Sequence, residues 1–193
     1  MLKHAFLSFG LATALVSPFT PRPARGRARA VPTCSALPWV VGCVASGTVG
    51  VPFVGRAIDS WYTTDLAKPK WTPNNRIFAP TWTLLYALLG LAASRVASVK
   101  GALCPELRLA LAHHALNLLW APVFFGLRAL RAGVLINGIL LASLGVIIPS
   151  FSAAAPGTAP LLYPYVAWLV FATALNIQIC RLNPNGVQKA SSP

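Results

Sequence analysis

Six tryptophans, four tyrosines and nine phenylalanines carry most of what recognition chemistry this 193-residue sequence offers. His113, Asn117, Trp120 and Phe124 follow one another at spacings of four, three and four, so a helix sets them on one stripe. Trp82, Tyr86 and Leu89 repeat the arrangement, as do Tyr165, Trp168, Ala172 and Leu175. Three such stripes, if they converge, line a cavity for a flat or rigid apolar ligand, with indole N–H groups and Asn amides orienting its polar edge. The same residue types also form aromatic belts at membrane surfaces. Trp39, Trp61 and Trp71 suit a belt, because they lie near the ends of apolar segments, whereas Trp120 and Trp168 lie well inside theirs. Asn117, Asn137 and Asn176 are costly in hydrocarbon unless hydrogen-bonded, so each is expected to face a bundle interior, as helix glue or as a ligand contact.

Conventional catalysis finds little support. The only acids, Asp59, Asp65 and Glu106, are unpaired in sequence, and neither a Gly-rich phosphate loop nor a nucleophile motif with a recognisable base is present. His113 and His114 are adjacent, so on a helix they point about 100° apart and are poorly placed to share a metal. Packing or interfacial roles are expected for both. Cys34, Cys43, Cys104 and Cys180 have neither close pairing nor metal-ligand spacing and read as small packing residues, so no metal site is expected.

The elements that must position the stripes are apolar segments at about 37–57, 77–98, 107–127, 132–151 and 160–181. Each is about 20 residues long, enough to cross a bilayer as a helix. With 56% hydrophobic and 10% charged residues, the chain has too much contiguous apolar surface for a water-facing shell. The fourth segment, AGVLINGILLASLGVIIPSF, has no charged face at all. The expected fold is an all-α integral membrane bundle of five transmembrane helices. Gly42, Ser46 and Gly50 recur at four-residue spacing on the first span, a surface for close helix approach, either inside the bundle or in a homodimer.

The net charge of +13 divides unevenly. Residues 1–35 hold Lys3, Arg22, Arg25, Arg27 and Arg29 and no acid, around an apolar stretch, Ala5 to Val16, too short to span a membrane. This reads as a leader, either cleaved after addressing the protein to a mitochondrial or plastid membrane or retained as an N-terminal arm. Its basic cluster has no interleaved aromatics, so nucleic acid is not an expected partner. The five-span domain then covers 36–183, with a polar tail over 184–193. Loop charges on the two sides count eight against three, with Arg56, Lys68, Lys70, Arg76, Arg128, Arg131, Arg181 and Lys189 on the richer side. With the leader removed, that places the C-terminus in the cytosol; with it retained, its five positive residues make the count eight to eight and set no orientation.

From Trp61 to about Asn183 the sequence resembles the translocator protein family, TspO/MBR, also called tryptophan-rich sensory protein or peripheral-type benzodiazepine receptor. Three blocks carry the resemblance: WYTTDLAKPKWTPNNRIFAPTWTLLYALLG, ALNLLWAPVFFGLR and YPYVAWLVFATALNIQICRLN. It implies a five-helix bundle of that type, binding hydrophobic ligands such as porphyrins, haem and sterols for transport, sensing or regulation, with no cofactor required. It also implies many dimeric relatives. Pocket residues carried across by position are Trp82, Asn117, Trp120, Trp168, Ala172 and Leu175. Porphyrin degradation with light and oxygen, reported for some bacterial members, would fall to Trp82 and Trp168. An interaction scaffold without ligand turnover is a further alternative.

The sequence departs from the family at several places. Pro73-Asn74-Asn75 replaces the usual Pro-Pro of the first loop, which caps the pocket in the family, and Arg76-Ile77 stands where an aromatic normally follows. Gly133 lies near where some members carry another pocket-facing Trp. The proposed cholesterol pattern fails because no Tyr lies within five residues before Arg181, which lowers sterol relative to porphyrin.

Overall fold

The computed structural model describes residues 35–187, which form five long helices and no strand. Nearly all of the leader, Cys34 included, and the last six residues of the tail lie outside the described residues. Helix α1 covers Ala36–Tyr62, α2 Phe78–Lys100 after a short 3₁₀ turn at Asn75–Ile77, α3 Pro105–Gly126, α4 Leu130–Ala154 and α5 Ala159–Leu182. These helices of 22 to 27 residues are about 33–40 Å long at 1.5 Å per residue, more than the roughly 30 Å of hydrocarbon they must cross. The chain is a multi-pass membrane protein. Each helix exceeds the apolar segment that announced it, most of all α1, which continues five residues past 57.

Going round the bundle, the helices neighbour one another in the order α1, α2, α5, α4, α3 and back to α1, and α2 touches all four others. The larger core is built mainly from apolar side chains of α2, α4 and α5, among them Leu89, Val96, Leu140, Ile147, Phe151, Leu162 and Leu169, each no more than 2% exposed, with Leu107 and Ala110 of α3 added. Leu84, Leu111, Leu135, Val146 and Val170 point outward and are more than half exposed, as a lipid-facing surface requires. A second, smaller core lies at the end that carries the 63–77 loop; Trp61, Tyr62, Leu66, Phe124, Leu130, Leu175 and Ile179 form it.

Helix α1 is not uniform. Ala36–Ser46 buries no residue fully, and its contact with α2 depends on backbone approach: a Cβ on Gly90 would sit 2.7 Å from the Trp39 carbonyl oxygen. A tight 3₁₀ turn, Gly47–Gly50, and a wide π turn, Ile58–Tyr62, then re-aim the chain. As a result the Gly42, Ser46, Gly50 spacing does not make one continuous seam. Gly42 has nothing within 4 Å of where a Cβ would be, Ser46 meets His114 of α3, and Gly50 lies against Ala121 of α3.

Proline shapes α3 as well. Pro122 has no N–H to donate, so the helical ladder breaks there and closes through a π turn, Leu127 N–H donating to the Pro122 carbonyl at 3.0 Å. The chain leaves that turn through Arg128, a non-glycine residue at φ 53°, whose guanidinium lies 5.4 Å from the Trp61 ring.

Candidate functional site

The three aromatic stripes fold into two clusters. In the first, Trp82 of α2 is the hub, with ring centroids 5.5 Å from Tyr86, 6.0 Å from Tyr165 and 6.4 Å from Trp168. The Tyr165 and Trp168 rings stand nearly perpendicular to it, at 90° and 89°, the edge-to-face arrangement that aromatic quadrupoles favour. Phe78, at the start of α2, packs on Trp168 at 5.6 Å, and Phe171 does so at 5.2 Å. Trp71 of the preceding loop closes on Phe171 at 5.9 Å.

The second cluster takes Trp120 and Phe124 of α3 elsewhere. Their rings stack at 4.7 Å and 10°. Phe124 also packs on Trp61 and Phe125 and lies in the same small core as Leu175. Trp120 donates its indole N–H to the Gly133 carbonyl at 3.1 Å. Gly133 is fully enclosed: a Cβ there would meet Phe124 at 2.9 Å, Asn176 at 3.1 Å and Trp120 at 3.3 Å. Trp120, Phe124 and Leu175 thus pack against α1 and α4, while Trp120 also borders the larger core that Trp82 and Trp168 adjoin. Trp61, expected in a surface belt, is 3% exposed and anchors this second cluster. It turns inward because α1 runs on through the π turn. Ala172 is half-buried on α5.

Buried polar groups tie the first cluster to its neighbours. The Tyr86 hydroxyl donates to Asn117 Oδ1, joining α2 to α3. His113 Nδ1 lies 2.7 Å from Ser143 Oγ, and that hydroxyl donates its only proton to the Leu140 carbonyl. The imidazole must therefore be the donor, with its proton on Nδ1 and a lone pair on Nε2. The same reasoning applies to His114: Ser46 Oγ, 2.7 Å from Nε2, donates to the Cys43 carbonyl, so Nε2 carries the proton and Nδ1 the lone pair. The two histidines diverge as adjacent helical residues must, one toward α4 and one toward α1. Among the described residues, His113 Nε2, His114 Nδ1, the Tyr165 hydroxyl and the Trp168 indole N–H are buried without a hydrogen-bond partner. Tyr165 packs edge-on to both His113, at 5.3 Å, and Trp82.

The 63–77 loop is held over this end of the bundle. Asn183, just past α5, accepts from the Ala67 N–H at 3.1 Å and donates to the Ala67 carbonyl at 2.8 Å. Lys68 donates to the Tyr62 carbonyl at 2.6 Å and lies 4.4 Å from the Tyr62 ring centre; its partial burial lowers its pKa from the ordinary lysine value. Leu66 is buried beneath the loop. No metal-ligating cluster occurs among the described residues, where Cys43, Cys104 and Cys180 are free thiols.

The TspO/MBR family model matches residues 39–182, the whole of the bundle apart from its first turn. The chain belongs to the TspO/MBR family. Among curated relatives it is 36% identical over 151 residues to protein CrtK of Rhodobacter capsulatus, covering 76% of this chain and 91% of that one. It is 33% identical over 145 residues to the tryptophan-rich protein TspO of Chlorobaculum tepidum, covering 74% and 91%. With the human translocator protein the identity is 34% over 166 residues, covering 77% and 93%. In this TspO/MBR protein the periodic stripes identify the rings on each helix but miss Phe78, Phe171 and Trp71, which complete the first cluster from the loop end. Ser46 and Ser143, which orient the two histidines, are equally absent from the stripes. Both serines lie on other helices, 68 and 30 residues from the histidines they meet, so no local spacing pointed to them.

Proposed function

We propose that this TspO/MBR protein binds a hydrophobic tetrapyrrole, a porphyrin or haem, at the cluster formed by Trp82, Tyr86, Tyr165 and Trp168, in transport, sensing or regulation of that ligand. The supporting observation is the combination of a densely aromatic wall with the Tyr165 hydroxyl and Trp168 indole N–H, both buried without a partner among the described residues. A flat π-system stacks on the rings, and its polar edge meets donors that otherwise remain costly to bury. The rings touch one another, so the ligand enters by displacing Trp82 or Trp168, the two half-buried members, beneath the loop that carries Trp71. Trp120 and Phe124 act at one remove, by fixing α3 against α4.

The test is tryptophan fluorescence quenching by protoporphyrin IX and by haemin. Saturation is expected at low micromolar concentration, a Kd of about 1 μM being roughly −8 kcal/mol. Trp168→Phe and Trp82→Phe weaken it about tenfold, the loss of a good aromatic contact, while Trp39→Phe leaves it unchanged. Quenching that never saturates, or that all three variants share equally, overturns the assignment. Loss of the porphyrin spectrum that requires light and oxygen and disappears in Trp82→Phe assigns turnover instead. Crosslinked dimers in protein that binds neither porphyrin nor sterol favour the scaffold reading. We also propose that the end bearing the 63–77 loop faces the cytosol of an organelle membrane; full protease protection of a C-terminal tag in intact organelles refutes it.

A further inference from the structure

On the outer surface of the bundle, at the end bearing the 63–77 loop, α4 and α5 enclose a shallow groove of about 300 Å³ lined by Arg131, Val134, Ile177, Cys180 and Arg181. Arg131 lies in the first turn of α4 and Arg181 in the last turn of α5, so the two guanidinium groups share the water-facing end of the groove. Among the described residues neither arginine forms an ion pair. The chain has three acids in all, Asp59, Asp65 and Glu106, and the one ion pair among the described residues, Lys100 with Glu106, lies at the opposite end of the bundle. Arg131 donates to the Pro184 carbonyl at 3.3 Å, a neutral partner that leaves most of its donors free.

Below the arginines the groove becomes apolar and faces outward. Val134 and Ile177 line it. On α4, Gly138 continues the same face with nothing within 4 Å of where a Cβ would sit. On α5, Ala174 and Val170 continue it as exposed residues. A forked cationic head above an apolar track that runs into the hydrocarbon fits an amphiphile with an anionic head and an acyl chain. We infer that this groove is a binding site for a phospholipid of net negative charge, its phosphate held between Arg131 and Arg181 and one acyl chain lying along the α4–α5 seam. Planar guanidinium groups match phosphate oxygens two at a time. A zwitterionic head brings its own cation to a groove whose described lining holds two cations and no carboxylate, so charge complementarity selects the acidic lipid. The site is on the outside of the bundle and does not depend on the porphyrin reading.

The test is native mass spectrometry of the full-length protein in detergent, titrated separately with phosphatidylglycerol and phosphatidylcholine of matched chains. The expected result is retention of one phosphatidylglycerol in preference to phosphatidylcholine. In the Arg131→Gln/Arg181→Gln variant the retention falls roughly 30-fold, two interfacial arginines each contributing to the attraction. Arg95→Gln, at the other end of the bundle, retains phosphatidylglycerol as the parent does, and helical circular dichroism confirms that both variants are folded. Equal retention of the two lipids, parent-like retention by the double variant, or an equal loss in Arg95→Gln overturns the proposal. Displacement of the lipid by millimolar inorganic phosphate would reassign the groove as a site for free anions, and displacement by cholesterol would reassign it to sterol.

Discussion

Replacing Gly90 with alanine tests how α1 is held, because the three atoms nearest the new methyl all belong to the main chain of α1. The Cβ would lie 2.7 Å from the Trp39 carbonyl oxygen, 2.8 Å from Val40 Cα and 2.9 Å from the Trp39 carbonyl carbon. Carbon atoms in good contact sit about 3.5–4.0 Å apart, so the two helices must separate by roughly 0.7–1 Å. No rotamer change relieves the clash. A gap of that size forfeits about a quarter to a half of the dispersion along the seam, and Ala36–Ser46 has no fully buried side chain to compensate. Overpacking of this kind costs about 1–3 kcal/mol, against a gain of about 1 kcal/mol from alanine as a helix former. Gly138 and Gly145 supply the reference, since neither has an atom within 4 Å of its would-be Cβ; alanine there collects the propensity gain without the clash. Gly90→Ala should therefore melt about 2–12 °C below Gly138→Ala, at about 2–4 °C per kcal/mol for a chain of this size. The melt can be followed with a thiol-reactive dye, because Cys43, half-buried on α1, becomes accessible as that helix departs. Equal melting of Gly90→Ala and Gly138→Ala would falsify the close backbone contact.

Gly133→Ala should lower stability by about 1–3 kcal/mol and alter the near-ultraviolet circular dichroism, because the methyl pushes on Phe124, Asn176 and Trp120 together; an unchanged spectrum counts against the stacked pair. Tyr86→Phe leaves Asn117 Oδ1 without its donor, and a cycle with Asn117→Leu should return a coupling of about 0.6 kcal/mol, the usual size for such a bond between membrane helices. A coupling indistinguishable from zero means that the hydroxyl and the amide do not pair. Asn183→Ala removes both hydrogen bonds to Ala67, so tryptic cleavage after Lys70 should accelerate while the helical signal is unchanged; an unaltered rate means that the clasp does not hold the loop.

The bundle was legible because the property that makes a membrane helix, a run of about 20 apolar residues, is local and additive. Periodicity also placed Trp82 with Tyr86, and Tyr165 with Trp168, on common faces, and the fold brings those two faces together. It did not say which faces meet. Trp120 follows Asn117 on the same stripe, yet Asn117 reaches α2 while Trp120 stacks on Phe124 and bonds to α4. Three residues along a helix are about 4.5 Å of rise, enough to pass from one neighbour's depth to another's, and depth is set by how the helices slide past each other.

Trp61 shows the same limit from the other direction. Arg56 and Asp59 flank the end of the apolar segment at 57, but the chain from Ile58 to Asp65 contains neither Gly nor Pro to stop a helix, and the π turn it forms brings Trp61 inward. Charge marks where a helix leaves hydrocarbon; it does not mark where the helix stops. The residues between those two points are therefore free to do work at the membrane boundary. Here they supply the Trp61 ring that Phe124 packs against and Arg128 covers, and the Tyr62 carbonyl and ring that hold Lys68 of the loop. The loop over the proposed ligand cluster is thus fixed at two places, Tyr62 on α1 and Asn183 beyond α5, by residues lying outside every apolar segment.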